Sequence, residues 1–256
     1  MARVKTLILR APGTNCDVET VAAFEQAGSG VDSAHINELL RRQKLLSNYQ
    51  IMVIPGGFTY GDDVSAGRIL ANELRLKLGE DIQRFVEDGR LILGICNGFQ
   101  VLVKSGILPG LMGASSQPLT LVSNDSGKFE CRWVYLCVNE PSPCIFTRGI
   151  STMYLPVAHG EGKVVAEPQI VKELNVVLYY ADETGNIQAG YPYNPNGSVD
   201  NIAGICDASG RIFALMPHPE RFVHWSQHPR WTREPLRKYG DGLQVFLNAV
   251  KWAKTI

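Results

Sequence analysis

The sequence lacks a long apolar run. The apolar stretch from Leu91 to Val103 contains Asn97 and Gln100 and is too short for a membrane-spanning helix, which needs about 20 predominantly apolar residues. Near the start, the run Thr6 to Leu9 is followed at once by Arg10 and is too short for the core of an export signal. The sequence therefore predicts no membrane contact and a cytoplasmic location.

An excess of charge of either sign is also absent. The 25 basic residues equal the 25 acidic residues in number, so no overall electrostatic field attracts nucleic acid or an anionic membrane. Hydrophobic residues make up 45% and charged residues 20% of the chain, which is typical of a folded globular protein. Because the sequence shows no repeat and no long linker, we predict that residues 1–256 form a single domain.

The spacing that zinc sites commonly use, C-x-x-C, is missing among the six cysteines. Cys131 and Cys137 lie in one strand-like run, where they would stand about 20 Å apart at roughly 3.3 Å per residue, too far for a disulfide. His224 and His228 have a metal-like spacing, but Pro229 interrupts a helix there and no third ligand is evident. We therefore expect free thiols and no metal site.

Phosphate-binding loops are missing as well. The sequence contains neither G-x-x-x-x-G-K-[ST] nor a G-x-G-x-x-G after its first strand-like run, and these are the loops that cradle ATP and dinucleotides. We therefore expect no cofactor on this chain, and an energy-requiring step would have to lie on another chain.

Apolar runs alternate with helical patterns in the first part of the chain. Asp17 is a plausible helix N-cap and Gly28 a plausible helix stop. The expected strands are Val4–Leu9, Val31–Ile36, Ile51–Ile54 and Leu91–Ile95, and the expected helices are Asp17–Ala27, Glu38–Leu46, Ala66–Leu76 and Asp81–Glu87. This alternation predicts an α/β fold with a doubly wound, mostly parallel sheet.

After Pro109 the pattern changes to short strand-like runs, which predict antiparallel strands added to the same domain. A last amphipathic helix is expected over Asp241–Thr255. The expected strands are Leu119–Ser123, Phe129–Val138, Thr152–Val157, Val176–Tyr180, Asn201–Cys206 and Ile212–Met216.

Cys96 is the strongest candidate for chemistry. It follows the strand-like run Leu91–Ile95 in the sequence Gly94-Ile-Cys-Asn-Gly98, which resembles a nucleophile elbow, a strained strand-to-helix turn that exposes one side chain. The N-terminus of the following helix would favour the nucleophilic thiolate. A buried structural cysteine at a strand–helix junction remains the alternative.

A cysteine nucleophile needs a base, and His218 is the candidate. The two prolines of Met-Pro-His218-Pro-Glu220 keep the residues before them out of helical geometry. If the backbone is extended there, His218 and Glu220 lie on one side, so that the carboxylate orients the imidazole. A hydrogen-bonded loop histidine is the alternative.

Oxyanion stabilisation requires two convergent N–H donors. Gly57, in a Pro-Gly-Gly turn at the end of the preceding strand, and Asn97, directly after Cys96, are the candidates. A Gly-Gly sequence after a strand is often only a tight turn.

Two further residues are weaker candidates for chemistry. His159 is more simply a hydrogen-bonded loop histidine, and Cys16 lies near the same sheet edge but lacks an elbow.

The elbow, the Gly-Gly turn and Pro-His-Pro-Glu, in this order, resemble the class I (triad) glutamine amidotransferases. Within that family, further segments look like the glutaminase subunits of phosphoribosylformylglycinamidine synthase. These segments are residues 11–17, 55–62, 124–130, 158–162 and 194–198. Residues 222–239 match no motif, and we assign them no role.

The resemblance implies a flavodoxin-like fold and glutamine hydrolysis. Cys96 would attack the side-chain amide of glutamine, His218 would act as general base and acid, and Glu220 would orient it. Gln100 matches the family position that helps to hold glutamine. The ammonia would pass to a synthetase subunit that carries ATP and Mg and makes formylglycinamidine ribonucleotide in purine biosynthesis, with or without a small bridging subunit between the chains.

Three other interpretations stay open. The glutaminase could serve a different synthetase, which a comparison of acceptors would reveal. The chain could be a catalytically silent binding protein, although all three triad residues are present. It could also be a cysteine hydrolase of related fold, which the Pro-His-Pro-Glu placement after a late strand disfavours.

Overall fold

Five parallel strands make up one side of a nine-stranded sheet in the computed structural model, which describes residues 3–110 and 118–256. In spatial order they are β2 (Gly30–His35), β1 (Lys5–Arg10), β3 (Ile51–Ile54), β4 (Leu91–Ile95) and β11 (Ile212–Leu215). The strand order reverses after β2, which is the doubly wound, flavodoxin-like arrangement. The predicted α/β fold is confirmed.

Antiparallel strands continue the sheet beyond β11, as predicted, but β11 itself was expected among the antiparallel strands and instead pairs parallel with β4. In spatial order they are β10 (Ile202–Cys206), β9 (Asn175–Ala181), β6 (Glu130–Val138) and β7 (Thr152–His159). A separate two-stranded sheet pairs β5 (Leu119–Val122) with β8 (Lys163–Ala166). The sequence did not predict β8, because its four residues show too short an alternation to separate them from a loop.

The helices connect and cover the strands. They are α1 (Asp17–Gln26), α2 (Ile36–Leu40), α3 (Arg68–Lys77), α4 (Gly79–Glu87), α5 (Asn97–Lys104), α6 (Pro168–Glu173) and α7 (Leu243–Ala253). Two expectations were wrong. The N-cap of α1 is Cys16, and Asp17 is the first helical residue. The helix expected over Glu38–Leu46 is reduced to α2, because Arg42 takes a left-handed conformation with φ 58°.

The core lies against the parallel strands. The residues of β3 and β4 are buried throughout, as expected for parallel strands that are covered on both faces. One buried apolar cluster includes residues from Val4 to Ala253. The single-domain assignment for 1–256 stays a prediction.

No helix within the described ranges is both long and apolar enough to cross a membrane.

Four neighbouring strands end at the same edge of this sheet. The chain leaves β1 toward Cys16, β3 toward Gly57, β4 toward Cys96 and β11 toward His218. The carboxyl ends of parallel strands are where α/β sheets bind their ligands. This topology therefore gathers the candidate residues from distant parts of the sequence.

Candidate active site

Cys96 occupies a strained turn between β4 and α5. Its φ of 52° and ψ of −105° lie in a region that side chains other than glycine rarely adopt, and such strain commonly persists at functional sites. Both flanking glycines permit the close approach. A Cβ on Gly98 would lie 1.9 Å from the carbonyl oxygen of Ile54, and one on Gly94 would lie 2.6 Å from the side chain of Leu102. These distances match the geometry of a nucleophile elbow.

The sulfur of Cys96 points toward the end of β7. The residue is only 5% exposed, and Sγ lies 3.7 Å from the carbonyl oxygen of Ala158. The residue also caps the N-terminus of α5, where the first N–H groups have no partner inside the helix and favour negative charge. The thiol of Cys96 therefore lies in a largely buried site beside the N-terminus of α5, whose first N–H groups have no helical partner.

His218 and Glu220 form a buried pair. His218 Nδ1 lies 2.6 Å from Glu220 Oε1, and both side chains are at most 1% exposed. The two residues meet across a 3₁₀ turn, Pro219–Arg221, instead of along the extended backbone that the sequence suggested. Since the carboxylate accepts the proton of Nδ1, Nε2 is left as the site for proton transfer. Nε2 has no hydrogen-bond partner among the described residues.

Charges around His218 favour its protonated form. Burial acts against that form, but the carboxylate of Glu220, together with Cys96 and Cys16, outweighs burial and raises the pKa of His218 well above its ordinary value. A base with a raised pKa holds the proton of a thiol more readily. The arrangement can therefore stabilise an imidazolium beside Cys96.

The candidate oxyanion donors are Gly57, in the turn after β3, and Asn97, at the start of α5. Gly57 has a φ of 152°, and a Cβ there would stand 2.7 Å from the carbonyl oxygen of Gly13, so the turn requires glycine. The N–H of Phe58 donates to Gly13, but that of Gly57 takes no part in this loop pairing. Asn97 is the first residue of α5, where a backbone N–H is free. Their role as oxyanion donors stays a prediction.

The side chain of Gln100 holds a loop. Its Oε1 accepts a hydrogen bond from Asn97 at 2.8 Å, and its Nε2 donates to the carbonyl oxygen of Glu161. The amide thus ties the turn after β7 to the elbow helix. Direct contact between Gln100 and glutamine stays a prediction.

A polar network behind the site was not predicted from the sequence. His159 Nδ1 lies 3.1 Å from Asn124 Oδ1, while Asn124 Nδ2 donates to the carbonyl oxygen of His159. Asn196 donates to the carbonyl oxygen of Gly162 at 2.9 Å and to the hydroxyl of Tyr180 at 3.2 Å. The network joins residues 124–130, 158–162 and 194–198, three of the segments that carry the family resemblance. These segments are far apart in the sequence, so the sequence did not indicate that they are in contact.

His159 should make the fold sensitive to acid. Burial, with a smaller contribution from His218, lowers the pKa of His159 to about 3 from 6.5. Below pH 6.5 the unfolded chain therefore binds a proton at His159 and the folded chain does not. The free energy of unfolding falls as the pH falls toward 3. From pH 6.5 to pH 5 the expected loss is about 2 kcal/mol. Urea unfolding at both pH values should show this loss, and His159→Gln should reduce it; an equal loss in the variant would contradict the assignment.

Potential metal ligands occur next to the base. Ligand atoms of Cys16, His218 and Glu220 lie within 4.8 Å of one another, and all three residues are buried. Each already has a partner in the chain, because His218 and Glu220 contact each other and Cys16 contacts Arg221. The expectation of no metal stays a prediction.

His228 lies in an aromatic cluster. Its ring stacks on Trp225 with centroids 4.8 Å apart, and Nδ1 accepts a hydrogen bond from the N–H of Arg230. The side chain of His224 instead caps the short turn Trp225–Gln227. The side chains of His224 and His228 thus have different partners. Both residues lie in the segment 222–239, to which the sequence analysis assigned no role.

Comparisons with known proteins agree on one family. Residues 3–253 match the family described as the CobB/CobQ-like glutamine amidotransferase domain. The chain is 62% identical over 256 residues, covering 100% of both chains, to phosphoribosylformylglycinamidine synthase subunit PurQ of Dehalococcoides mccartyi. It is 37% identical to the subunit of that name from Pyrococcus furiosus, covering 98% and 100% of the two chains. A solved structure described as PurLQS from Thermotoga maritima has a TM-score of 0.74 at 33% identity, covering 98% of this chain and 99% of that one.

Proposed function

The chain belongs to the CobB/CobQ-like glutamine amidotransferase family, and we propose that it is the glutaminase subunit of a phosphoribosylformylglycinamidine synthase. It hydrolyses glutamine to glutamate and supplies ammonia to a synthetase that converts formylglycinamide ribonucleotide to the amidine in purine biosynthesis. The observation that carries the chemistry is the strained Cys96 beside the buried pair of His218 and Glu220. The full-length similarity to subunits of that name supports the acceptor.

The reaction uses the side chains in sequence. Cys96 Sγ, having given its proton to His218 Nε2, attacks the side-chain amide carbon of glutamine. The oxyanion accepts hydrogen bonds from the N–H groups of Gly57 and Asn97. His218 then protonates the leaving nitrogen, so that ammonia departs and a glutamyl thioester remains. Water, deprotonated by the same imidazole, hydrolyses the thioester to glutamate and restores the thiol.

Ammonia needs a protected route to its acceptor. In neutral water it is mostly protonated and no longer nucleophilic, so direct passage between subunits preserves its reactivity. The Thermotoga maritima structure is described as PurLQS, and this supports assembly of the present chain with a synthetase subunit and a small third subunit. We assign ATP and Mg to the synthetase, and we place the complex in the cytoplasm.

The isolated chain should not bind ATP. Its sequence contains no phosphate-binding loop of the kind that cradles nucleotide phosphates. Isothermal titration of ATP with Mg into this chain should therefore give no saturable heat, whereas the complete complex should give a saturable curve. Tight binding to the isolated chain would contradict this division of labour.

Glutamate release with and without the partner subunits tests the function. We would assay the chain alone and then with the matching synthetase, the small subunit, ATP and formylglycinamide ribonucleotide. Glutamate release that rises on mixing and equals amidine formation supports the proposal. An equal rate of glutamate release with and without the partner subunits would favour a glutaminase that serves a different synthetase. No release under either condition would favour a catalytically silent protein.

A further inference from the structure

A second sulfur lies beside the catalytic base. Cys16 is 1% exposed and stands at the N-terminus of α1, where its N–H donates to the carbonyl oxygen of Gly56 at 3.2 Å. Its sulfur lies within 4.8 Å of a ring nitrogen of His218. The sulfur has no part in the reaction steps described for Cys96. A buried thiol in contact range of the base therefore needs a separate explanation.

Gly56 brings the sulfur and the imidazole together. A Cβ at Gly56 would lie 2.8 Å from Cε1 of His218 and 3.0 Å from Sγ of Cys16. The first distance is too short for a real side chain and the second is tighter than most real contacts, so the imidazole edge and the sulfur pack against the same point of the backbone. Cys16 thus borders the ring on the side of β3, while Glu220 holds its Nδ1.

Arg221 fixes the position of the sulfur. Its Nη2 donates to Cys16 Sγ at 3.0 Å, and its Nε lies 3.5 Å from Glu19. Arg221 follows Glu220 in the turn Pro219–Arg221. One turn therefore supplies both the carboxylate that bonds the imidazole and the guanidinium that holds the neighbouring sulfur.

The interaction is electrostatic as well as steric. The groups that face His218 are Glu220, Cys96, Cys16 and the neutral His159, with Arg221 behind the sulfur. Burial lowers the pKa of Arg221, but Cys16 and Glu220 outweigh this and raise it. The buried sulfur and the partly exposed guanidinium therefore interact favourably.

From these contacts we infer that Cys16, held by Arg221, is a positioning residue for His218. Its sulfur keeps the ring against Gly56 and stabilises the positive charge that the imidazole carries after it accepts the proton of Cys96. This inference rests on the proposed glutaminase function and adds to the triad a residue that does not touch the substrate.

Steady-state kinetics of the reconstituted complex test the inference. Cys16→Ala should lower kcat for glutamate release about 10-fold and leave KM within about twofold. The pH limb that reports His218 should move to lower pH, because the imidazolium loses a stabilising neighbour. Cys16→Ser, which keeps a polar atom in place, should recover part of the rate and part of the shift. Cys144→Ser, at another buried thiol, is the matched control and should leave both unchanged.

Several outcomes would overturn the inference. An unchanged pH limb in Cys16→Ala, or a loss confined to KM, would show that the sulfur does not act on the base. An equal loss in the alanine and serine variants without any pH shift would indicate packing alone. If Cys16→Ala does not fold, Arg221→Lys, which keeps the positive charge but loses the planar guanidinium that holds the sulfur, replaces it and should move the same limb in the same direction. A wild-type complex without glutamine hydrolysis would instead refute the proposed function itself.

Discussion

Glutamate release should fall to background when Cys96 is replaced by alanine. Without Sγ no thioester can form, and only substrate binding and the oxyanion donors remain to accelerate attack by water. Losing the nucleophile of a triad typically costs about 10⁴-fold or more. The measurement is glutamate release by the reconstituted complex with saturating glutamine, ATP and formylglycinamide ribonucleotide.

Two controls separate lost chemistry from lost structure. Supplied with ammonium salt instead of glutamine, the Cys96→Ala complex should still make the amidine, because the synthetase only needs ammonia. Cys131→Ala removes an exposed thiol instead and should keep the wild-type rate. Glutamate release by Cys96→Ala within tenfold of the wild-type rate would remove Cys96 from the mechanism.

The central parallel strands β3 and β4 were predicted from the sequence because they are continuous apolar runs bounded by loop residues. The predicted limits of β3 and β4 are those of the structure. Such strands are buried on both faces, so the apolar signal is strong and ends sharply. α2 was predicted too long because a left-handed residue stops it, and Arg42 gives no local sign of that conformation.

The candidate site was readable only in part. The elbow is local, since the strand and the flanking glycines that shape it are adjacent in sequence. The approach of Cys16 to His218 is not local, because it depends on how β1, β3 and β11 lie side by side and on the bare backbone of Gly56. The sequence correctly predicted that Cys16 lies at the same sheet edge as Cys96. It did not predict the contact between Cys16 and His218, because no elbow motif surrounds Cys16.

The partner of Gln100 shows the same limit. Its spacing from Cys96 was sufficient to place it in the elbow helix, but not to show that its amide bonds the carbonyl of Glu161. That bond depends on the turn after β7, which approaches the helix only in the folded sheet. Residue type and spacing therefore predict which groups are present, and the topology decides which of them meet.

Replacing His218 should lower the rate of glutamate release by about 10²-fold or more, because the thiol then has no base and the leaving nitrogen no acid. His218→Asn and His218→Ala should be equally slow but differ in stability. Alanine leaves the fully buried carboxylate of Glu220 without its partner, whereas the asparagine amide can still donate a hydrogen bond to it.

The pH dependence of stability distinguishes the base from a merely packed histidine. Because the pKa of His218 is raised above its ordinary value of 6.5, its stabilisation is complete below pH 6.5 and disappears as pH rises through the raised value. The stability gap between the wild type and His218→Ala, measured by urea unfolding, should therefore narrow as pH rises above 6.5. A gap that stays constant would show that the imidazole is not charged beside Glu220. A rate loss below tenfold in both variants would show that another group takes the proton of Cys96.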